Sequence, residues 1–156
     1  MCEHCGCRGV EPIAQLMDEP FELLDISDRI REPLAAGDHA ATLGLLAQLR
    51  ALLVPHGTRE ERGVFAALRA QGEFVEAVDA LEGEHASFEA MLDGLDPGSP
   101  TFEPDVKRLL AELAEHIDQE NLGIFPVAVV TLTNTGWDTV AEAHACDHAH
   151  AHPHAS

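Results

Sequence analysis

Two copies of one motif, at residues 56–65 and 116–125, place histidine and glutamate at helical spacing: His-x-x-x-Glu-x-x-Gly-(Val/Ile)-Phe. Apolar residues flank each copy at intervals of three and four, so its His and Glu share one inward face of a helix. Buried carboxylates are costly without partners, and a bound cation neutralises several of them at once. We therefore favour metal ligation over a structural polar layer for the repeated residues. They are His56, Glu60, His116 and Glu120.

A third histidine, His85, lies on the apolar stripe of the segment between the two motifs. Val78, Leu81 and Phe88 flank it at spacings of three and four, so His85 faces the same core. At a rise of about 1.5 Å per residue, the five candidate ligands fall within roughly 12 Å along the bundle axis, close enough for one metal-binding cluster. Glu89 follows His85 by one turn, at the edge of the stripe, and is a further candidate ligand.

The first helix departs from this pattern. A Glu-His dipeptide occurs at residues 84–85 and 115–116, whereas the equivalent dipeptide on the first helix is Glu19-Pro20. Proline offers no metal-binding side chain, lacks an N–H and is expected to kink the helix. We therefore expect an incomplete site, with Glu19 or Glu22 as a substitute ligand if the helix kinks.

Four helices with short connections must position these residues. Strong helix formers dominate the sequence, and β-branched and aromatic runs are scarce, which argues against a sheet. Turn and capping residues delimit the elements, and together they predict an all-α, up-down-up-down four-helix bundle. The predicted helices are 12–35, 39–71, 74–93 and 104–135, in a bundle domain at 12–136. The other predicted segments are a Cys-rich N-terminus (1–11), a short helix (137–146) and a His-rich tail (147–156), with both flexible termini at one end of the bundle.

This arrangement resembles the hemerythrin-like (HHE cation-binding) family over residues 12–135. The resemblance rests on one inward position on the first helix, a His on the third, a His-x-x-x-Glu motif on the second and fourth, and Phe125-Pro126 after the last motif. It implies a non-haem di-iron centre inside the bundle. It further implies that the bridging carboxylates are Glu60 and Glu120 and that the terminal ligands are His56, His85 and His116.

The sequence differs from the family at two positions. Pro20 stands where the family places the histidine of its first helix, and Glu89 stands where members often place another histidine. One metal then has only His56 besides the bridging carboxylates, so we expect weaker coordination there or a single tightly held metal. Imidazole and carboxylate ligands suit iron, with zinc and manganese as alternatives. A ferritin-like site fits less well, because it needs paired Glu-x-x-His motifs and only Glu82-x-x-His85 is found.

The cysteines lie at the ends of the chain, at Cys2, Cys5, Cys7 and Cys146. Such clustering is not typical of a disulfide framework. Cys2-x-x-Cys5-x-Cys7 has metal-ligand spacing, and with Cys146 or a tail histidine it forms a candidate second site of four thiolates, or of three thiolates and one imidazole. Redox-active thiols, or an N-terminal segment without function, are the alternatives. The histidines between positions 144 and 154 either bind zinc, nickel or copper or belong to a solvated tail.

The chain of 156 residues carries 28 acidic and 9 basic side chains, for a net charge of −19. This charge repels phosphate, so nucleic acid and anionic membranes are poor candidate partners. The sequence has no targeting signal and no apolar stretch long enough to span a bilayer, so we expect a soluble, cytoplasmic protein. His39 is about 25 Å from His56 by helical rise, and we predict that it is solvated near a helix cap.

We expect a protein that binds or senses O2, or a related small molecule such as NO, at iron. The alternative from another class is storage or delivery of iron, zinc or nickel by the core and the termini together. A di-iron enzyme that disposes of peroxide or NO ranks last, because no acid–base pair beyond the ligands is visible.

Overall fold

Five helices follow one another along the chain in this computed structural model, which describes the backbone of residues 10–150 and the side chains of residues 14–145. They are α1 (Val10–Ala35), α2 (39–71), α3 (Val75–Gly94), α4 (102–131) and α5 (Asn134–His150). The first four pack in the order of the sequence, and α1 closes the ring against α4. No strand occurs in the described part of the chain, and the predicted all-α helical bundle is confirmed.

The helices α2 and α4 each contain one π-helical turn. In α2 this turn is Glu61–Phe65, between the α-helical segments His39–Glu60 and Ala66–Gln71. In α4 it is Glu120–Ile124, between Phe102–Gln119 and Phe125–Thr131. Both turns lie within the repeated motif, next to its glutamate. Single π-turns inside α-helices are rare and frequently mark functional sites.

The end of α1 and both ends of α2 are set by local glycine and capping residues. Gly37 and Gly72 have positive φ angles of 70° and 72° just after α1 and α2, a conformation that glycine adopts without steric cost. Asp38 caps α2, because its carboxylate accepts a hydrogen bond of 3.0 Å from the backbone N–H of Ala41. The helix α1 remains helical through Pro20.

The end of α4 is set by a contact with α2. The side chain of Gln71 donates a hydrogen bond to the Thr131 carbonyl at 3.0 Å and accepts one from the Thr133 N–H at 2.9 Å. Leu132 takes an extended conformation between them. The helix α4 therefore ends at Thr131 instead of residue 135, and α5 begins at Asn134 instead of residue 137.

The bundle core consists of two separate apolar clusters. The first is built from buried residues of α1, the first half of α2, α3 and the first half of α4: Leu23, Ile26, Ile30, Leu34, Leu46, Leu49, Leu53, Phe88, Phe102, Val106, Leu109, Leu110, Leu113 and Ile117. The second surrounds the ends of α2 and α4 and includes α5: Leu16, Val64, Phe65, Ala67, Leu68, Val78, Leu81, Ile124, Phe125, Ala128, Leu132 and Val140. A level of the bundle between the two clusters belongs to neither of them.

The helix α5 packs directly on the π-turn of α2. A Cβ placed on Gly63 would lie 3.2 Å from the Ala143 Cβ and 3.5 Å from the Val140 Cα, so a larger residue would have to shift α5 slightly outward. Val140 is fully buried there. Among the described residues, no helix combines the length and the apolar character needed to cross a membrane.

Candidate metal centre

Five buried polar side chains form one layer across the middle of the bundle, and we call them the core cluster. They are His56 and Glu60 from α2, His85 from α3, and His116 and Glu120 from α4. None of them is more than 7% exposed. The two apolar clusters lie on either side of the layer. The inward orientation predicted for all five residues matches this placement.

The glutamates of the core cluster face histidines of more than one helix. Glu60 lies 2.8 Å from the His56 Nε2 and 3.2 Å from the His85 Nε2. Glu120 lies 2.6 Å from the His116 Nε2 and 3.6 Å from the His85 Nε2. The Nε2 atoms of His85 and His116 are 3.1 Å apart. The three imidazoles thus direct the same ring nitrogen at the same two carboxylates.

The donor set of this layer fits a cation. Glu60, His85, His116 and Glu120 each offer a ligand atom, and these four atoms lie within 4.8 Å of one another. Both carboxylate oxygens of Glu60 and of Glu120 are buried without an aligned hydrogen bond. Buried acceptors without hydrogen bonds are costly, and a metal ion uses the same lone pairs. Mixed imidazole and carboxylate donors suit iron, zinc or manganese.

The outward ring nitrogen of each histidine contacts a second carboxylate. His56 Nδ1 lies 2.6 Å from Glu19, His85 Nδ1 lies 2.9 Å from Glu61, and His116 Nδ1 lies 2.5 Å from Glu84. A carboxylate at Nδ1 accepts the Nδ1–H and leaves the Nε2 lone pair facing the core cluster. Outer carboxylates of this kind orient metal-bound histidines and raise their basicity.

These outer carboxylates are not predicted as a set by the sequence. Glu84 precedes His85 in a Glu-His dipeptide, but its partner is His116 on another helix, and no spacing rule within one helix reveals that pairing. Glu19 was predicted as a substitute ligand. In the structure it lies on the outer side of His56, and the same Oε2 atom is 2.7 Å from the Arg59 Nη2.

His56, Pro20 and Glu89 lie outside the group of four convergent ligands, although His56 contacts Glu60 at 2.8 Å from the other side of that carboxylate. Pro20 is buried between Leu16 and Leu23, which belong to different apolar clusters, so it occupies the level of the polar layer on α1. Glu89 is exposed and lines a small cavity of about 40 Å³ between α2 and α3, which also borders His85. The proline therefore leaves the α1 side of the layer without a ligand from that position.

The other predicted positions are distributed as follows. Glu22 is exposed on α1, and His39 is exposed at the first position of α2, with its ring 5.0 Å from that of Phe102. Cys2, Cys5 and Cys7 lie outside the described residues, as do the last six residues and the side chain of Cys146. The proposed terminal metal site stays a prediction.

Gly57 makes room for His85. A Cβ at position 57 would lie 3.1 Å from the His85 Nδ1 and 3.3 Å from its Cγ. The imidazole of α3 therefore rests against the backbone of α2, one residue after His56. On its other side, the ring of Phe65 stacks on His85 with 5.8 Å between ring centroids. These contacts hold the imidazole plane in one orientation.

The electrostatics of the layer depend on these pairings. Burial lowers the pKa of His85, but the carboxylates of Glu120 and Glu60 outweigh this effect and raise it to about 10. Burial and the nearby charge of Glu120 raise the pKa of Glu60. Burial also acts to raise the pKa of Glu120, but the imidazole of His116 beside it leaves that pKa well below the usual value. The layer thus attracts positive charge, and a cation that binds there competes with protons.

Comparison with protein families gives a match that covers most of the chain. The hemerythrin HHE cation-binding domain matches residues 11–128, a range that includes α1 to α3, most of α4 and the whole core cluster. Comparisons with curated proteins and with solved structures give no match. The family match and the buried His/Glu layer agree in position and in chemistry. The chain therefore belongs to the hemerythrin HHE cation-binding family.

Proposed function

We propose that this protein holds non-haem iron in the core cluster and binds or senses O2, or a related small molecule such as NO. The observation that carries the proposal is the set of buried carboxylate oxygens of Glu60 and Glu120. They lack aligned hydrogen bonds and face three imidazole Nε2 atoms. Iron supplies an open coordination position for a diatomic ligand when fewer than six donors come from the protein.

In this proposal the chain holds and shields the centre. His56, His85 and His116 would hold the iron through their imidazoles, and Glu60 and Glu120 through their carboxylates. The outer carboxylates fix the imidazole planes. Phe65 and Phe88 contact the rings of His85 and His116, with centroid distances of 5.8 and 5.2 Å. These apolar walls limit the access of water to the layer.

Three cavities lie on the outer sides of the histidines, one behind each imidazole. A cavity of about 190 Å³ borders His116 between α3 and α4, and one of about 220 Å³ borders His56 between α1 and α2. The third is the small cavity beside His85. None of these three cavities is lined by Glu60 or Glu120, and all are small, in keeping with a diatomic molecule or an ion as the ligand rather than a large substrate.

Reconstitution with iron tests the proposal. The metal-free protein is loaded with Fe(II) under anaerobic conditions and then exposed to O2 or to NO, and the visible spectrum is followed. We expect a new absorption band that reverses when the gas is removed. The variant His116→Ala should lose the band, whereas Glu112→Gln, a change in the wall of the neighbouring cavity, should keep it. A wild-type protein that takes up no iron contradicts the proposal.

The second candidate function is storage or delivery of iron, zinc or nickel. The presence of Pro20 favours this function, because a metal site that lacks one protein ligand releases its metal more easily. The terminal set Cys2, Cys5, Cys7 and Cys146 would supply the additional zinc or nickel site. Iron that is lost on desalting without any response to gas supports this function, as does zinc binding that disappears when the three N-terminal cysteines are changed to serine. In either case we predict a cytoplasmic protein.

A further inference from the structure

The core cluster has two unequal halves, because each carboxylate turns one oxygen to each side. On one side, Glu60 Oε2 and Glu120 Oε1 face His85 and His116. On the other side, Glu60 Oε1 and Glu120 Oε2 face His56 alone, at 2.8 and 4.0 Å from its Nε2. We call these the paired-histidine half and the single-histidine half.

The paired-histidine half has the dimensions of a complete metal position. Its ligand atoms are separated by 2.6, 3.1, 3.2 and 3.6 Å in the pairs given above. Four donors at about 2.0–2.2 Å from one metal ion lie roughly 3.0–3.6 Å apart in ordinary coordination geometries. Small shifts of the Glu120 carboxylate complete this arrangement.

The single-histidine half offers three donors, and α1 adds none from position 20. Pro20 is buried at this level and has no donor atom in its side chain. The cavity of about 220 Å³ between α1 and α2 lies on the Nδ1 side of His56, where Glu19 and Arg59 also line it, and a cavity of similar volume borders His116 in the other half. The difference between the halves is therefore one of donors: a cation in the single-histidine half would be held by fewer protein atoms.

Arg59 weakens this half further. Its Nη2 lies 2.7 Å from the same Glu19 Oε2 that lies 2.6 Å from the His56 Nδ1. An outer carboxylate raises the basicity of a histidine ligand by accepting its Nδ1–H. A carboxylate oxygen shared with a guanidinium is a poorer acceptor, so His56 is a weaker donor to metal than it would be with Glu19 alone.

We propose that the two halves bind metal with different strength: the paired-histidine half retains one cation, and the single-histidine half holds an exchangeable one. This inference rests on the proposed function, because both positions belong to the same centre. It assigns to Pro20 and Arg59 the role of keeping the second position weak.

Anaerobic titration of the metal-free full-length protein with Fe(II) tests this proposal, with bound iron measured by equilibrium dialysis and elemental analysis. We expect two binding steps whose dissociation constants differ by more than about tenfold, the lower limit of what outer-sphere changes alone produce. His56→Ala should abolish only the weak step. Two equivalents that bind with one affinity, or a retained cation that is lost in His56→Ala, would overturn the inference.

Two variants keep the test valid if His56→Ala does not fold. Pro20→His adds a ligand and Arg59→Gln frees Glu19, so each should tighten the second step several-fold without changing the first. Arg69→Gln is the matched control, because it removes the same charge from an exposed pair with Asp79 and Glu82. An unchanged second step in both variants overturns the proposed roles of Pro20 and Arg59.

The results separate this inference from the proposed function. Failure to bind any iron contradicts both of them. Two equal sites that still give the reversible absorption band contradict only the unequal halves. Two unequal sites without any response to gas support the unequal halves and contradict gas binding.

Discussion

Each histidine of the core cluster is fixed at both of its ring nitrogens. The Nε2 atoms face Glu60 and Glu120, and the Nδ1 atoms face carboxylates from a different helix. Because the outer partner comes from another helix in every case, the orientation of each imidazole depends on the packing of two helices. The direction in which each imidazole presents its Nε2 atom therefore depends on how its helix packs against a neighbouring helix.

Removing the charge of one outer carboxylate should weaken metal binding without unfolding the protein. Glu84 is 38% exposed and lies 2.5 Å from the His116 Nδ1. We expect Glu84→Gln to lower the Fe(II) affinity by about tenfold or more, because outer-sphere partners typically contribute 10–100-fold. The affinity is measured by anaerobic competition with a chelator. Glu112 lines the same cavity, and Glu112→Gln serves as the control. Equal Fe(II) affinities in the two variants would contradict the role of Glu84 in orienting His116.

Gly57 and Gly44 form a matched pair within α2. A Cβ on Gly44 meets nothing within 4 Å, whereas one on Gly57 meets the His85 ring at 3.1 Å. Alanine is favoured over glycine inside a helix by about 1 kcal/mol. We therefore expect Gly44→Ala to raise the free energy of unfolding by about this amount and to leave metal binding unchanged.

Gly57→Ala should behave differently in the same urea unfolding and metal-binding measurements. The new methyl group pushes the His85 ring away from Glu61, so the metal affinity should fall by about tenfold, as for loss of an outer-sphere partner. The gain in stability seen for Gly44→Ala should be reduced or absent. Wild-type metal affinity in Gly57→Ala would show that the close contact does not position His85.

At the scale of helices, the sequence predicts what depends on local spacing and misses what depends on contacts between helices. Gly37, Asp38 and Gly72 predict the boundary between α1 and α2 and the end of α2, because their effect is confined to a few residues. The repeated motif predicts the inward face that carries His56 and His116. The π-turns, one directly after Glu60 and the other beginning at Glu120, are not predicted, because the motif spacing fits an uninterrupted α-helix equally well.

The end of α4 shows the same limit. Residues 131–135 have no strong helix-stop signal before Gly136, and the break at Leu132 is made by Gln71 from the end of α2. The sequence separation between these residues is 60 or more, beyond the reach of pattern rules. The pairing of Glu19, Glu61 and Glu84 with histidines of other helices escaped prediction for the same reason.

Gln71→Ala should therefore destabilise the fold. The substitution removes the hydrogen bonds to the Thr131 carbonyl and from the Thr133 N–H, so we expect a loss of about 1–3 kcal/mol in the free energy of unfolding. Urea denaturation of the metal-free protein provides the measurement. Gln48→Ala, at an exposed position inside α2, should change stability by less than about 0.5 kcal/mol. Similar values for the two variants contradict the role of Gln71 in ending α4.

At the scale of the whole molecule, the bundle buries two carboxylates and three imidazoles in the centre of an otherwise apolar core. Such groups favour folding only when their charges and lone pairs are matched. A cation in the layer binds side chains from α2, α3 and α4 together. The metal is therefore expected to stabilise the fold as well as to serve function.

Thermal unfolding with and without metal checks this expectation. A ligand that binds only the folded state stabilises it by about 2.7 kcal/mol at a free concentration 100 times its dissociation constant. We expect the melting temperature to rise by several degrees with anaerobic Fe(II) and to return after chelation. His116→Ala should show a smaller rise, because it loses a ligand of the paired-histidine half. A wild-type melting temperature that does not respond to metal shows that the layer is a structural polar network.

The division of the core into two apolar clusters also bears on how the protein opens. Each cluster can lose its packing while the other remains intact, so backbone amides on the two sides of the layer form separate units of hydrogen exchange. A cation bound between the two clusters would couple these units, because its ligands come from α2, α3 and α4 and lie between the clusters on each of these helices. With metal bound, the amides of both units should exchange together and slowly. Without metal, we expect the amides of the two units to exchange at different rates, so hydrogen exchange of the metal-free and metal-bound protein tests whether the layer joins the two halves of the core.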